Sequence, residues 1–163
     1  LDLFGTLMLL LAGFGWASTP VNPRNLRGNP RTAHAIVAIA GPIANALMAV
    51  LWGLPLMTGL VEMSFAPDGA ILPTVYQVCY TGVLINLVLF AFNLMPIPPL
   101  DGFTILVGLL PVEMAYRLEP LRQYGTIILL LVIFLLPRIG LNVIDLWLSP
   151  VLNNVMPILL GRG

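Results

Sequence analysis

The sequence predicts an all-α polytopic membrane protein, a bundle of transmembrane helices separated by proline-broken loops. Of its 163 residues, 59% are hydrophobic and only 9% are charged, against roughly 25% charged residues in an ordinary soluble domain. The apolar residues also come in long uncharged blocks, which is the pattern of membrane-spanning helices. A soluble chain of this size needs more charged surface than this, so a very apolar soluble protein is the weaker alternative.

The apolar residues fall into five segments of one transmembrane domain, 1–163. The segments are residues 3–17, 33–61, 70–95, 124–137 and 139–160. The second and third are long enough to cross a bilayer, whereas 3–17 and 124–137 are short for a complete crossing. The last segment carries Asp145, Pro150, Asn153 and Asn154, so we predict an interfacial or re-entrant position for it. Residues 111–123 carry four charges and are predicted to form a polar connection or a surface helix.

Prolines divide these segments. Residues 18–32 contain three prolines and three arginines and are predicted to be a loop. Prolines 96, 98 and 99 end the third segment, and Gly41-Pro42 and Pro55 are predicted kink points within the second. Because positive loops stay in the cytoplasm, we place loop 18–32 on the cytoplasmic side. Two crossings later, residues 93–123 return to that side, and the acidic loop 62–69 lies opposite.

Charge and cysteine content narrow the possible partners. Seven arginines balance seven acidic residues, so no basic face for nucleic acid is expected. The predicted partner is therefore the lipid bilayer. The sequence does not indicate an oligomeric state. The single cysteine, Cys79, cannot form a disulfide within the chain.

Asp101 is the most informative residue, in the segment FNLMPIPPLDG that directly follows a predicted span. A carboxylate at that depth is costly unless it is paired, hydrated or bound to a metal. The prolines make a rigid turn, and Gly102 allows a close backbone approach. The residues equally allow a simpler interpretation, in which an Asp-Gly turn at the interface caps the next helix.

Asparagines 45, 86 and 93 lie inside the apolar spans. Asn86 and Asn93 are seven residues apart and share a helix face. Each taken alone is better explained by packing against another helix than by a functional role. Near Asn45, the sequence GPIAN offers a small-residue surface for another helix. His34 is the only histidine, and a lone interfacial histidine is more often neither a ligand nor a proton carrier.

The chain does not contain a complete hydrolytic centre of a familiar kind. Catalytic zinc needs about three protein ligands plus water, and an HExxH motif supplies two of them together with a general base. This sequence has one histidine and no HExxH. It also lacks a Gly-x-Ser-x-Gly pattern that would indicate a serine nucleophile.

Two stretches nevertheless resemble the site-2 proteases, intramembrane zinc metalloproteases of the peptidase M50 type. The first matches their Asn-x-x-Pro-x-Pro-x-Leu-Asp-Gly motif at Asn93, Pro96, Pro98, Leu100, Asp101 and Gly102. The second resembles the middle of the compact prokaryotic members, and its matches are Trp16, Pro20 to Pro23, Asn25 to Arg27, and Ala40 to Asn45. The opening LDLFGT is similar to the end of the link that follows the HExxH helix in that group. The resemblance covers residues 1 to about 110.

The resemblance implies a zinc endopeptidase that cleaves transmembrane protein substrates in a prokaryotic cell membrane, near the cytoplasmic side. By it Asp101 is the third zinc ligand, and the histidine ligands and glutamate base are expected upstream of Leu1, so the 163 residues are not expected to be active alone. The residues expected to shape or hydrate the site are Asn45, Asn86, Asn93, Pro96, Pro98 and Gly102. The loop residues Pro20, Val21, Asn22 and Pro23 have backbone groups that an extended substrate could pair with.

Two other functions stay open. A non-catalytic homologue of the same fold would bind partner helices without a metal centre. A transporter or channel half would also combine broken helices with an intramembrane acid. The second is the least favoured, because the sequence shows no internal repeat.

Overall fold

The computed structural model describes residues 30–67 and 72–162. Six α-helices occur in this part of the chain, in the order α1 Pro30–Met57, α2 Val75–Asn93, α3 Asp101–Leu109, α4 Val112–Leu118, α5 Gly125–Leu130 and α6 Val143–Leu159. A 3-10 turn, Glu119–Tyr124, joins α4 to α5. A π-helical turn, Leu131–Leu135, and a second 3-10 turn, Leu136–Ile139, continue the same helical run.

Three helical segments are long and apolar enough to cross a membrane: α1, α2 and the run Val112–Ile139. The described residues contain no β-strand. The predicted all-α membrane bundle is therefore confirmed, and the chain is an integral membrane protein.

The third spanning segment, Val112–Ile139, differs from the segments that the sequence predicted. Residues 111–123 were expected to form a polar connection or a surface helix, and α4 with the 3-10 turn after it is a largely exposed helical segment. The segment 124–137 was expected to be short for a complete crossing. It instead continues this helix, so that Val112–Ile139 is one helical run of 28 residues. Four of its five charges lie in the first half of the run and the fifth, Arg138, lies at its end, with an uncharged stretch between them.

The first helix also differs from expectation at its start. α1 begins at Pro30, inside the predicted loop 18–32, and ends at Met57, four residues before the expected limit. Proline is well tolerated at a first helical position, where its missing N–H would have no partner. The helix continues through Pro42 and Pro55 without ending.

The second helix has a well-defined start and end. Thr74 precedes α2, and its hydroxyl oxygen accepts a hydrogen bond from the backbone N–H of Gln77 at 3.2 Å. In return the Gln77 side-chain oxygen accepts from the Thr74 N–H at 2.9 Å. This reciprocal pair is a capping box. The helix ends at Asn93, just before the proline-rich segment.

One core joins α1, α2 and α6. Its buried side chains are Ala49, Leu56, Tyr76, Cys79, Val83, Leu87 and Leu159. At Gly82 an added Cβ would lie 2.5 Å from the Trp52 ring, so the missing side chain is what lets the indole pack flat on α2. The Trp147 indole N–H donates to the Ala91 carbonyl at 2.8 Å and ties α6 to the end of α2.

A second core holds the segment between α2 and α3. Met95 and Leu100 are buried there with Val132 of the third span. Beside them, Gly125 lies so close to Pro98 and Pro99 that an added Cβ would be 3.1 Å from both. The proline-rich segment is thus enclosed by the third span on one side and by the end of α2 on the other.

Candidate metal centre

Asp101 is the first residue of α3. The residue that precedes the helix as its cap is Leu100, and no side-chain capping hydrogen bond is formed there. The alternative in which Asp101 serves as the helix cap is therefore wrong. Its carboxylate still lies in the first turn, where the helix dipole favours a negative charge.

The segment that leads to Asp101 is a series of tight backbone turns. The Ile97 N–H donates to the Met95 carbonyl at 2.8 Å, and the Leu100 N–H donates to the Ile97 carbonyl at 3.0 Å. The Pro98-Pro99 peptide bond is cis. Pro98 is buried and Pro96 is exposed, so only the former contributes to the packing that holds the segment.

Gly102 allows α3 to begin directly against the end of α2. An added Cβ at this position would lie 2.3 Å from the Leu94 carbonyl oxygen and 2.4 Å from that of Met95. Both obstacles are backbone atoms, which cannot rotate away. The glycine of the Leu-Asp-Gly sequence is therefore required by packing, and the same contact fixes the neighbouring Asp101.

The carboxylate of Asp101 lies against α1. An added Cβ at Gly41 would be 3.1 Å from Asp101 Oδ2. Gly41 belongs to the GPIAN sequence and Asp101 to the Leu-Asp-Gly sequence, which are 60 positions apart in the chain. The structure thus brings together the two motifs that the sequence analysis singled out separately.

The electrostatic setting of Asp101 suits a bound cation. Burial raises the pKa of the Asp101 carboxyl above its ordinary value, because desolvation penalises the charged form. Among residues 30–67 and 72–162, no donor or cationic side chain forms a hydrogen bond or ion pair with this carboxylate. α3 is not one of the three spanning segments, and the carboxylate is partly buried within the described helices. A metal ion bound there would remove the penalty.

The three asparagines lie in different settings. Asn86 donates its side-chain amide to the Gly82 carbonyl of its own helix at 2.8 Å, which is a local bond within α2. Asn45 is one turn beyond Gly41 on α1, and Asn93 is the last residue of α2. Both are half-buried. Asn45 therefore shares a helix face with Gly41, and its role in shaping a site stays a prediction, as do those of the other two.

The described residues do not make a zinc site by themselves. No group of three His, Cys, Asp or Glu side chains comes together in residues 30–67 and 72–162. His34 lies two turns from Gly41 on α1, about 10 Å along the helix axis, and is not gathered with Asp101. The carboxylate chemistry and position of Asp101 fit a zinc ligand, but the set of about three ligands is incomplete, so no reaction step through zinc is derived. The loop residues Pro20, Val21, Asn22 and Pro23 lie outside the described residues.

Sequence reasoning missed one residue beside this centre. Arg31 was counted only as a loop charge that sets orientation. In the structure its guanidinium donates through Nη2 to the carbonyls of Val107, at 2.8 Å, and Leu110, at 2.5 Å, at the far end of α3. No signal in the sequence identified it, because residues 18–32 were predicted to be a loop and Arg31 lies in a first helical turn only once α1 is known to begin at Pro30.

Comparisons with known proteins agree with this architecture. Residues 55–137 match the sequence profile of Peptidase family M50. The chain is 39% identical over 154 residues to "Putative zinc metalloprotease YwhC" of Bacillus subtilis, an alignment that covers 94% of this chain and 67% of that protein. It is 31% identical to each of two proteins named Rip2, with the same description, from Mycolicibacterium smegmatis and Mycobacterium tuberculosis. The chain spans 46% and 38% of their lengths, respectively. No solved structure matches the chain.

Proposed function

Because the chain belongs to peptidase family M50, we propose that it is part of an intramembrane zinc endopeptidase and that Asp101 is one of the metal ligands. The observation that carries this proposal is the contact between Asp101 Oδ2 and the surface of α1 at Gly41. It places a partly buried carboxylate, whose pKa is raised by burial, at a helix–helix junction beside the membrane-spanning segments. A bound cation would offset the cost of burying its charge.

Each part of the chain has a defined task under this proposal. The turn from Met95 to Leu100 and the contact at Gly102 hold the carboxylate rigidly, and Gly41 leaves room for it. The described helices enclose one side of the site and limit the access of water. Bound zinc would supply a Lewis acid that activates water for peptide hydrolysis. With one histidine among the 163 residues, two histidine ligands and a glutamate base require residues beyond these.

The proposed substrates are membrane-embedded proteins. The candidate site follows directly after the spanning helix α2, so a peptide bond at the end of a substrate helix would reach it without leaving the membrane region. By the distribution of arginines we place the site on the cytoplasmic side of a prokaryotic cell membrane. The residues Pro20–Pro23 are the proposed pairing edge for the substrate strand.

The metal assignment is tested by purifying the complete gene product in detergent and measuring bound zinc by mass spectrometry. We expect about one zinc per chain in the parent and loss of zinc in Asp101→Ala. Asp145→Ala is the matched control, since Asp145 is an exposed aspartate in the first turn of α6, and it should keep its zinc. Equal binding of zinc by Asp101→Ala and Asp145→Ala would contradict the assignment.

A second candidate function is a non-catalytic membrane homologue that binds partner helices. The observation in its favour is the exposed apolar surface of α1, for example at Ile36 and Leu47, on which a partner helix could pack. It predicts a complete gene product that folds in detergent and holds no zinc in the same measurement.

A further inference from the structure

The short helix α3 lies antiparallel along the first turns of α1. At one end, Asp101 contacts Gly41, and at the other, Gly108 contacts Ala35. The contact points are seven residues apart on α3 and six apart on α1, which corresponds to about 10.5 Å and 9 Å of helix axis. Because the two lengths nearly agree, both contacts are satisfied by one register of α3 on α1.

The contact at Gly108 restricts how close α3 and α1 can lie and how far one can shift along the other. An added Cβ at Gly108 would lie 2.4 Å from the Ala35 Cβ and 3.2 Å from the Arg31 carbonyl oxygen. A side chain larger than hydrogen would therefore separate the two helices at this end. Since α3 has only nine residues, a displacement at Gly108 moves Asp101 as well.

Arg31 closes the same end of α3 by hydrogen bonding. Its guanidinium donates through Nη2 to the Val107 and Leu110 carbonyls at 2.8 and 2.5 Å. In a longer helix the Val107 carbonyl would accept from residue 111, but that residue is proline and has no N–H. Arg31 supplies the missing donor, and its positive charge complements the negative end of the helix dipole.

We propose that Arg31 is a positioning residue for Asp101, and that with the Ala35–Gly108 contact it fixes the register of α3 on α1 and so holds the Asp101 carboxylate at Gly41. The inference rests on the proposed function in one respect, namely that the carboxylate so held is a metal ligand. The register itself is independent of any metal and is tested separately.

The register is measured by disulfide formation between Gly41→Cys and Asp101→Cys in the complete, otherwise cysteine-free protein. A disulfide needs Cβ atoms about 3.5–4.5 Å apart. The 3.1 Å between an added Gly41 Cβ and Asp101 Oδ2 makes the two positions neighbours across α1 and α3, and the rate in the parent is the reference for the variants. The cross-linked fraction is read by mass spectrometry after cleavage in the connection between α1 and α2. We expect rapid cross-linking in the parent, severalfold slower cross-linking in Arg31→Ala, and partial recovery in Arg31→Lys.

The matched control for charge is Arg117→Ala, because Arg117 is exposed on α4. It should cross-link at the parental rate. A compensating pair provides the control for packing: Gly108→Ala should slow the reaction, and Ala35→Gly with Gly108→Ala should restore it, since the second change removes the Cβ that the first one meets. This pair decides the question even if Arg31→Ala does not fold. Parental rates in folded Arg31→Ala, or in Gly108→Ala, would overturn the proposal.

The consequence for the metal is measured as zinc affinity in the cysteine-free protein that retains Asp101. Loss of a residue that orients a ligand typically weakens metal binding by about tenfold to a hundredfold, and we expect this in Arg31→Ala and Gly108→Ala, with recovery in the compensating pair. If the parent binds no zinc, the proposed function fails while the cross-linking still decides the register. Zinc affinity that is unchanged in a variant with slow cross-linking would overturn the link between register and ligand.

Discussion

At the scale of single residues, glycine decides where Asp101 lies. Gly102 lets α3 start against the backbone of Leu94 and Met95, and Gly41 leaves space for the carboxylate on α1. Neither position has a positive φ, so the requirement is for space. The aspartate is held by the packing of its neighbours, because within residues 30–67 and 72–162 it has no hydrogen-bonding partner of its own.

Gly102→Ala should destabilise the protein, because its Cβ would meet the two carbonyl oxygens at 2.3 and 2.4 Å. We expect a loss of about 1–3 kcal/mol, the usual cost of overpacking, measured by thermal unfolding in detergent. Gly41→Ala is the comparison, since its Cβ would meet only the movable end of the Asp101 side chain at 3.1 Å. It should lose less stability than Gly102→Ala, and a stable Gly102→Ala variant would contradict the packing described.

Asp101→Asn should not destabilise the metal-free protein. With a chelator present, the raised pKa of the Asp101 carboxyl means that the charged form is disfavoured in the folded state. This penalty is absent at low pH, where the group is protonated in both states, and it appears in full once the pH exceeds the folded-state pKa. At pH 7 we therefore expect Asp101→Asn to unfold at or above the parental temperature.

With zinc present, Asp101→Asn should instead be less stable than the parent. A metal that binds only the folded parent raises its unfolding temperature, so the parent should gain stability from zinc and Asp101→Asn should not. A zinc-dependent gain in the variant equal to that of the parent would argue against Asp101 as a ligand.

At the scale of elements, α3 depends on its neighbours on both sides. Besides its contacts with α1, it is tied to the third span by Arg122, whose guanidinium donates to the Thr104 hydroxyl at 3.2 Å and lies 5.5 Å from the centre of the Phe103 ring. Arg122 also pairs with Glu119 at 2.7 Å. A helix of nine residues is marginal by itself in water, so these tertiary contacts account for its position.

Trp147→Phe should loosen α6 from α2. The change keeps an aromatic ring but removes the N–H that donates to the buried Ala91 carbonyl at 2.8 Å. An unsatisfied buried carbonyl costs about 1–3 kcal/mol, which should lower the unfolding temperature in detergent. Leu146→Ala, at a neighbouring position that is 73% exposed, should change it little. Equal effects of the two changes would contradict the role of this hydrogen bond.

At the scale of the whole molecule, the order of the spans determines which loops share a side. We propose that α1 and α2 are successive crossings, which would put the connection between them on the side opposite the turn that carries Asp101. The helices expose a broad apolar surface, for example at Leu47 and Ile36, as expected of helices that face lipid or a further helix.

Cysteine labelling of intact cells tests this arrangement. Met63 and Leu109 are both exposed, at 60% and 76%, and lie on either side of α2. In a cysteine-free background, Met63→Cys should react with a membrane-impermeant maleimide from outside. Leu109→Cys should react only after permeabilisation, because the positive loop keeps its side in the cytoplasm. Labelling of Leu109→Cys alone from outside would mean that the orientation is opposite to the proposed one. Labelling of both positions from outside would mean that the chain does not cross the membrane once between them.

The sequence by itself determined the class of the fold and the identity of the candidate ligand. Uncharged blocks about as long as a bilayer is thick predict spanning helices, since a backbone in lipid has to satisfy its own hydrogen bonds. A lone acid after such a block, among prolines and next to glycine, singled out Asp101, and the resemblance to the site-2 proteases made it the candidate zinc ligand. Local patterns were sufficient for the fold class, because it depends on neighbours in the chain.

The tertiary structure decided which distant residues meet. The contact of Asp101 with Gly41, the hydrogen bonds from Arg31 to the end of α3, and the joining of a charged stretch and a short apolar stretch into the span Val112–Ile139 were not evident from local patterns. Each depends on packing between segments far apart in sequence, where space and unsatisfied carbonyls select the partner. Composition records which groups are present, and only the folded chain determines which of them face one another.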